Sequence, residues 1–263
     1  MVCRAENRSR DAGEITLFKV GNSFTLIARG TNEDRRVGFK AAYRQPIVHR
    51  AGDKVFVIGT PNGTSYETVV VDLLAGSVTD RFDCLLPSIS PNGRFVAFVK
   101  WFPGHFVRDV EWHYMLYDST KTAIQNRPPG TVTPDAVNVG KPLYPTNVDN
   151  KQGDNFNLDR PVHEAAMDSF FWSPDSSRLV FADKHDRVMS LVMVRPGEVH
   201  QGAVSVRIPD LCQASETSNC DFQLKSVNFD DVARKMRVLF RGVRAQAGNT
   251  VTREFAYGQF GIP

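Results

Sequence analysis

Short apolar runs alternate with tight polar turns along the chain, and one such unit recurs. Two copies are sharp, at residues 89–99 and 172–182, and two looser copies begin at His49 and Asn228. In the sharp copies Ser opens the turn, Pro presets φ at the next position, and Asn or Asp follows, as a type I turn requires. A second run, apolar on both faces, comes after the turn. The unit therefore predicts antiparallel strand pairs.

The spacing of the copies indicates units larger than a single hairpin. His49 and Ser90 stand about 40 residues apart, which is close to the length of one four-stranded propeller blade. The step from Ser90 to Ser173 is about twice as long. Residues 127–167 are rich in Pro, Asn, Asp and Gly, and they predict an insertion between blades. Period-2 or fully apolar runs follow each turn, and no helical period extends beyond about ten residues. The chain is predicted to be all-β.

Central strands that are apolar on both faces favour a propeller over a sandwich. A sandwich strand has one wet face and alternates, whereas residues 55–58, 95–99 and 179–182 do not alternate. Blades that stack face to face cover both sides of their central strands. The outermost strand of a blade is expected to be the most polar, and residues 77–81 fit that expectation.

The turn sequences resemble those of a known family. Residues 90–98 are Ser-Pro-Asn-Gly-Arg-Phe-Val-Ala-Phe, and residues 171–181 are Phe-Trp-Ser-Pro-Asp-Ser-Ser-Arg-Leu-Val-Phe. Both are similar to the Ser-Pro-Asp-Gly repeat of TolB-like and WD-type β-propellers, which also occurs in the propeller domains of prolyl-oligopeptidase-like enzymes. The resemblance implies a β-propeller fold. It implies little about function, because these residues form a turn rather than a site.

We expect about five blades of four-stranded antiparallel sheets in a single domain, residues 1–263, with a short irregular segment at residues 1–13. Four blades, or part of a larger ring, remain alternatives, and the amino-terminal strand is a candidate for completing the final blade. The expected blades cover residues 14–44, 45–83, 84–126, 168–209 and 221–260.

Charge changes the picture only slightly. The chain has 32 Lys and Arg against 29 Asp and Glu, a net charge of +3, and a pI near 8.7. This balance is too mild to predict nucleic-acid binding. The densest basic cluster lies in a predicted strand and is either a solvated edge or a patch for an acidic partner. Its members are Arg234, Lys235, Arg237, Arg241 and Arg244.

The sequence leaves the compartment open. No apolar run approaches the ~18 residues that a bilayer span needs, so no membrane insertion is expected. Residues 1–10 lack the apolar region of a signal peptide. A periplasmic or secreted location follows if a signal has been removed, and a cytoplasmic one otherwise. The oligomeric state is likewise open.

Four cysteines are present, and two of them are candidates for a pair. Cys212 and Cys220 bracket a short polar loop, so we predict a disulfide bond between them. Zinc is disfavoured because no second close cysteine pair and no nearby histidine supply further ligands. Cys84 lies in an apolar run and is predicted to be buried.

The sequence favours a non-enzymatic module that binds a protein partner or ligand. It contains no Gly-x-Ser-x-Gly elbow, phosphate loop, dinucleotide fingerprint or His-Glu-x-x-His zinc helix. Binding is expected at the channel mouth or through residues 100–113 and 127–167. Aromatic side chains there form a contact patch if they are exposed. The candidates are Trp101, Phe102, Trp112 and Tyr144.

A second hypothesis is a carbohydrate-binding or glycoside-hydrolysing propeller. Asp83, Asp168 and Asp221 each precede a repeat turn by five to seven residues, so they are candidates to converge at one channel mouth. Converging carboxylates bind a cation or a basic peptide, or perform acid and base work on a glycoside. The alternative is that they cap loops in solvent. No cofactor is expected. Calcium is an alternative, although the spacing of its candidate ligands matches no EF-hand; these are Asp149, Asp154, Asn155, Asn157 and Asp159.

Overall fold

The described part of the chain is built from antiparallel strands that follow one another in sequence order. The computed structural model describes residues 2–4, 15–29, 34–43, 46–60, 66–103, 110–120, 141–144, 170–185, 188–197, 200–212, 221–243 and 247–262. Two short 3₁₀ helices lie in these ranges, at Ile208–Leu211 and Tyr257–Phe260. The strands are β1 (Val2–Arg4), β2 (Ile15–Val20), β3 (Ser23–Ala28), β4 (Arg35–Lys40), β5 (Ile47–Ala51), β6 (Lys54–Gly59), β7 (Tyr66–Asp72), β8 (Ser77–Ile89), β9 (Phe95–Pro103), β10 (Val110–Asp118), β11 (Lys141–Tyr144), β12 (Phe171–Trp172), β13 (Leu179–His185), β14 (Val188–Arg195), β15 (His200–Arg207), β16 (Phe222–Asp230), β17 (Lys235–Gly242) and β18 (Thr250–Ala256).

These strands form five successive meanders within the ranges given. The first has the order β1-β2-β3-β4 and the fourth has the order β12-β13-β14-β15. Between them, β5 to β11 form one seven-stranded sheet. Residues 77–84 of β8 pair with β7, and residues 85–89 pair with β9, so β8 joins two four-stranded meanders. The last sheet, β16-β17-β18, has three strands. The predicted all-β fold of propeller-type four-stranded sheets is confirmed.

The chain divides into two compact units. One comprises Met1–Trp101 with Met115–Lys141, and the other comprises Phe102–Tyr114 with Pro142–Pro263. Each contains apolar clusters of its own. The organisation of residues 1–263 as a single domain stays a prediction.

Strand β6 shows why the sheets of the first unit stack. All residues from Val55 to Gly59 are buried. Val55 and Val57 pack with residues of the first sheet, whereas Phe56 packs with Phe98 of β9. Both faces of β6 are therefore covered. Each fully buried side chain of this kind contributes about 1.5–3 kcal/mol, so these strands need an apolar neighbour on either side.

Side-chain hydrogen bonds close both sharp repeat turns. The Ser90 hydroxyl donates to Asn92 Oδ1 at 2.8 Å and accepts the backbone N–H five residues further on. Ser173 makes the same two bonds, the first to Asp175 Oδ1 at 2.6 Å. The hydrogen bond from Ser173 lowers the pKa of Asp175 to about 2. The Ser and Asn or Asp residues of the repeat therefore fix turns between strands, as predicted.

Two short strands differ from the prediction. β1 lies inside residues 1–13, which were expected to be irregular, and it pairs with β2 of the first sheet rather than completing the last one. β11 lies inside the predicted insertion at residues 127–167 and adds to β10. Strands of three and four residues are too short to show a hydrophobic period, so a neighbouring strand defines them rather than their own pattern.

We predict that Gly93→Ala destabilises the protein by about 3 kcal/mol, because the substitution combines an unfavourable φ with steric overlap. Gly93 has φ 69°. A Cβ there would overlap the Ala51 Cβ and lie 2.8 Å from the Ala51 carbonyl oxygen. Urea unfolding measures the change.

Gly76→Ala is the matched control. Gly76 has φ 64°, but a Cβ there would meet nothing within 4 Å. We expect this variant to lose only about 1 kcal/mol, the cost of the left-handed conformation. Equal losses in the two variants would show that the approach to Ala51 is unimportant.

Candidate functional site

The last sheet has one apolar and one charged face. Met236, Val238 and Phe240 of β17 are buried and pack into the apolar cluster of the second unit. The intervening residues Arg237 and Arg241 are exposed. An open depression of about 400 Å³, which we call the terminal groove, lies along the hairpin that joins β16 and β17. Its lining residues are Asn228, Phe229, Asp230, Asp231, Val232, Lys235, Arg237 and Glu254.

Ion pairs organise the terminal groove. Glu254 of β18 accepts from Lys235 Nζ at 3.0 Å and from Arg237 Nη2 at 2.9 Å. Hydrogen bonds from Arg237 and then Lys235 lower the pKa of Glu254, so this carboxylate stays ionised. One carboxylate is shared between these two cations, while Asp230 and Asp231 add two further carboxylates to the groove. Surface pairs of this kind add little stability, so their main effect is on the charge presented to a partner.

Contacts from Arg178 and Tyr257 to Asp231 hold the hairpin at the end of the groove. Asp231 Oδ1 accepts from Arg178 Nη1 at 2.6 Å and from the Tyr257 hydroxyl at 2.9 Å. The Arg178 guanidinium also lies over the Tyr257 ring, 4.5 Å from its centre. Burial, and then the bond to Asp231, raise the pKa of Tyr257, so the phenol remains a donor. We call these contacts of Arg178, Asp231 and Tyr257 the clamp. Val232, the residue after Asp231, is 98% exposed at the tip of the turn.

Strand β18 is the edge of this sheet within the part of the chain that the structure describes. Gly242 donates its backbone N–H to Asn249 at 2.8 Å, and Tyr257 donates to Arg234 at 3.0 Å. These two bonds flank an unbroken antiparallel register. Since bonded and non-bonded pairs alternate in such a ladder, every second residue of β18 directs its N–H and C=O away from β17. Those residues are Thr250, Thr252, Glu254 and Ala256.

The far end of this edge is already capped. The Ala256 N–H donates to the Gln259 side-chain oxygen at 2.8 Å. Phe260 follows in the same 3₁₀ helix and packs edge-on against Phe255 at 6.3 Å between ring centres. The open edge therefore runs over residues 250–254, with Thr250, Thr252 and Glu254 all exposed.

A second candidate, in the first unit, is a buried carboxylate. Asp80 of β8 is 2% exposed. The Tyr117 hydroxyl donates to its Oδ2, while its Oδ1 has no hydrogen-bond partner among the residues described. Burial raises the pKa of Asp80, and the bonds from Tyr117 and the charge of Lys54 partly oppose that shift. Phe82 and Phe98 complete the surrounding cluster. This pair is enclosed in the core, so we assign it a structural role.

We predict that Tyr117→Phe destabilises the protein more at pH 7 than at pH 4. Folding raises the pKa of Asp80, so the contribution of this carboxyl to stability is full below its unfolded pKa and declines as the pH rises through the folded value. The hydrogen bond from Tyr117 favours the ionised form of Asp80, so removing the phenol costs more, about 2 kcal/mol, where more of the carboxyl is ionised. Unfolding by urea at the two pH values measures the difference.

The control measures the effect of Tyr117→Phe in a protein that already carries Asp80→Asn. The amide does not titrate in this range, so adding Tyr117→Phe to it is expected to cost the same at both pH values. A loss from Tyr117→Phe that does not change with pH in the native background would contradict this account of Asp80.

The described residues do not test whether the three predicted carboxylates lie close together. Asp83 lies on β8 with Glu67 as its backbone partner, but its side chain is outside the described set. Asp168 lies outside it entirely. Asp221 is half-buried directly before β16, and its carbonyl accepts the Val243 N–H at 2.9 Å. Convergence of these carboxylates stays a prediction.

For the predicted aromatic patch, the structure describes the backbone of its residues but not their side chains. Trp101 and Phe102 lie on β9, Trp112 on β10 and Tyr144 on β11, while their side chains lie outside the described set. The predicted calcium residues, in 149–159, fall outside it as well.

The cysteines are described in part. Cys84 is buried, as predicted, and its Sγ lies 3.1 Å from the Thr68 hydroxyl oxygen. Cys212 is in a disulfide bond, and because Cys220 lies outside the described residues, their pairing remains a prediction.

The terminal groove was only partly visible in the sequence. The basic cluster at residues 234–244 predicts a strand edge or an acidic-partner patch, and two of its members line the groove: Lys235 and Arg237. Arg178, Asp231 and Tyr257 were not predicted as a group. Their separation along the chain hides the contact, although Arg178 stands directly after the turn of a sharp repeat copy.

Comparison with known proteins adds little to this description. No protein-family description and no curated protein matches the chain. Among solved structures, an uncharacterized Listeria monocytogenes protein, lmo1340, has 11% identity and a TM-score of 0.41, with 95% of this chain and 65% of that protein covered. TolB from Acinetobacter baumannii has 11% identity and a TM-score of 0.36, with 98% and 50% covered. The β-propeller domain of the Pyrococcus furiosus Trilobed protease has 9% identity and a TM-score of 0.39, with 92% and 62% covered.

The fold class rests on the strand order rather than on these likenesses. The chain is an all-β protein of propeller-type sheets. None of the helices in the described segments is long and apolar enough to cross a membrane.

Proposed function

We propose that this chain is a non-enzymatic interaction module that binds an extended segment of a partner protein along the β18 edge. The observation that carries the proposal is the open edge itself. Residues 250–254 direct three pairs of backbone groups away from β17. Among the described residues this sheet has three strands, whereas the sheet β12–β15 has four. An added strand satisfies those groups and provides affinity through main-chain hydrogen bonds.

The surroundings of the edge favour a protein segment over a small ligand. The terminal groove beside it is open, and its lining is mixed: Lys235, Arg237 and Glu254 form ion pairs there, and Phe229 and Val232 are apolar. Ligand pockets for small molecules are concave and mostly apolar. Exposed charges at the rim steer and orient a partner more than they hold it. The edge supplies affinity in this proposal, and the groove supplies orientation.

The other predicted contact regions remain part of the proposal. The channel mouth and residues 100–113 and 127–167 are further surfaces through which such a module binds protein. Use of Asp83, Asp168 and Asp221 on a carbohydrate is the alternative function, and no observation among the described residues favours it.

Thr252→Pro tests the use of the edge. The Thr252 N–H points away from β17, so proline there removes a donor for an added strand and leaves the ladder to β17 intact. A library of random twelve-residue peptides is displayed on phage and selected on the full chain. We expect the enriched peptides to bind the Thr252→Pro variant at least tenfold more weakly, while its free energy of unfolding changes by about 1 kcal/mol or less.

Val251→Pro is the structural control. The Val251 N–H faces Phe240 in the ladder, so its loss should destabilise the sheet by about 2 kcal/mol or more. Peptides that bind the Thr252→Pro variant as tightly as the native chain would overturn the proposal. Failure to enrich any peptide that prefers the native chain would overturn it as well.

A further inference from the structure

We propose that the bound segment has an acidic residue opposite Arg253 and an apolar residue opposite Val251, so that it carries the pattern acidic-x-apolar. This inference rests on the proposed function, because it describes the partner of the same edge. Antiparallel addition, as in the meanders of this chain, places the acidic residue two positions before the apolar one.

Alternation along β18 fixes which side chains meet the added strand on each face. Val251 and Arg253 pair with Phe240 and Val238, so they lie on the face that packs into the core of the second unit. Thr250, Thr252 and Glu254 lie on the outer face with Arg241, Leu239 and Arg237. A residue directly opposite on an added strand has its Cβ about 5 Å away. Each β18 side chain therefore selects the residue that faces it.

Arg253 is the exposed cation of the inner face. Its Nη2 donates to the Asp210 carbonyl oxygen at 3.2 Å, which holds the guanidinium beside the edge without neutralising it. No carboxylate of the described chain lies within ion-pair distance of it, whereas Arg237 and Lys235 share Glu254. A carboxylate on the added strand gives Arg253 the missing opposite charge and uses further donors of its planar fork.

Val251 determines the apolar residue of the pattern on the added strand. Its side chain is half-buried against the apolar cluster that contains Phe240 and Phe255. An apolar residue opposite it extends that cluster and removes more apolar surface from water. A polar residue there would be desolvated without a hydrogen-bond partner.

Loss of the contact with Arg253 disfavours the wrong register. A shift of one residue moves every side chain of the added strand to the other face. The acidic residue would then lie on the outer face, beside Glu254 or a threonine, instead of beside Arg253. A shifted strand therefore loses both the charge pair with Arg253 and the apolar contact with Val251, so the pattern selects one register as well as one composition.

The test compares peptide selections on the native chain and on Arg253→Glu. Twelve-residue random peptides enriched on the native chain are expected to carry acidic-x-apolar, and to bind Arg253→Glu about tenfold or more weakly. Selection on Arg253→Glu is expected to replace the acidic residue by Lys or Arg at the same position. Arg241→Glu, which changes an exposed arginine on the outer face of β17, is the matched control and should leave the enriched pattern unchanged.

Two failures are distinguishable. If the enriched peptides lose binding to Thr252→Pro but lack the pattern, or keep it unchanged on Arg253→Glu, the inference is wrong and strand addition stands. If they bind Thr252→Pro as tightly as the native chain, they do not use the edge, and both proposals fail together. If the selection enriches no peptide that prefers the native chain, both proposals are likewise wrong.

Discussion

Burial of apolar strands on both of their faces is the constraint on which the other features of this structure depend. In β6 and β7, successive residues pack into different clusters, so that Val55 and Val71 belong to one core while Phe56 and Val70 belong to another. A strand of this kind is stable only between two neighbouring sheets, because either face alone would expose apolar surface to water. The stacking of sheets within the first unit follows directly from that requirement.

The last sheet shows what changes when only one face is covered. Along β17, buried residues alternate with exposed or half-buried ones, which contrasts with the nearly continuous burial of β6. Polar side chains can occupy the outer face because water solvates them there. Charged residues are a common protection of exposed sheet edges against unspecific pairing. On β18 one of these charges also discriminates among partners, since Arg253 attracts an acidic residue on the strand that faces it. Protection of the edge and selectivity at the edge therefore have one physical origin.

Sequence patterns revealed the parts of the fold that are determined locally. The apolar runs of β6, β9 and β13 and the Ser-Pro turns at Ser90 and Ser173 were predicted, because hydrophobic period and turn chemistry depend on neighbouring residues. The short strands β1 and β11 were not predicted, since pairing with a distant strand defines them. The contact of Asp80 with Tyr117, and the clamp of Arg178 on Asp231, join residues far apart in sequence. No local pattern marks such contacts. The open backbone groups of β18 depend on the phase of the ladder, which composition does not reveal.

The buried ionisable groups of the first unit and the proposed binding surface lie in different places, for a physical reason. Burial raises the pKa of Tyr43, Asp80 and Tyr117, and each of these groups is enclosed in the core of the first unit. A perturbed pKa marks a functional site only where the group can reach a ligand. Strand addition needs no shifted titration at all, because backbone N–H and C=O groups provide the affinity and fully ionised side chains provide the selectivity.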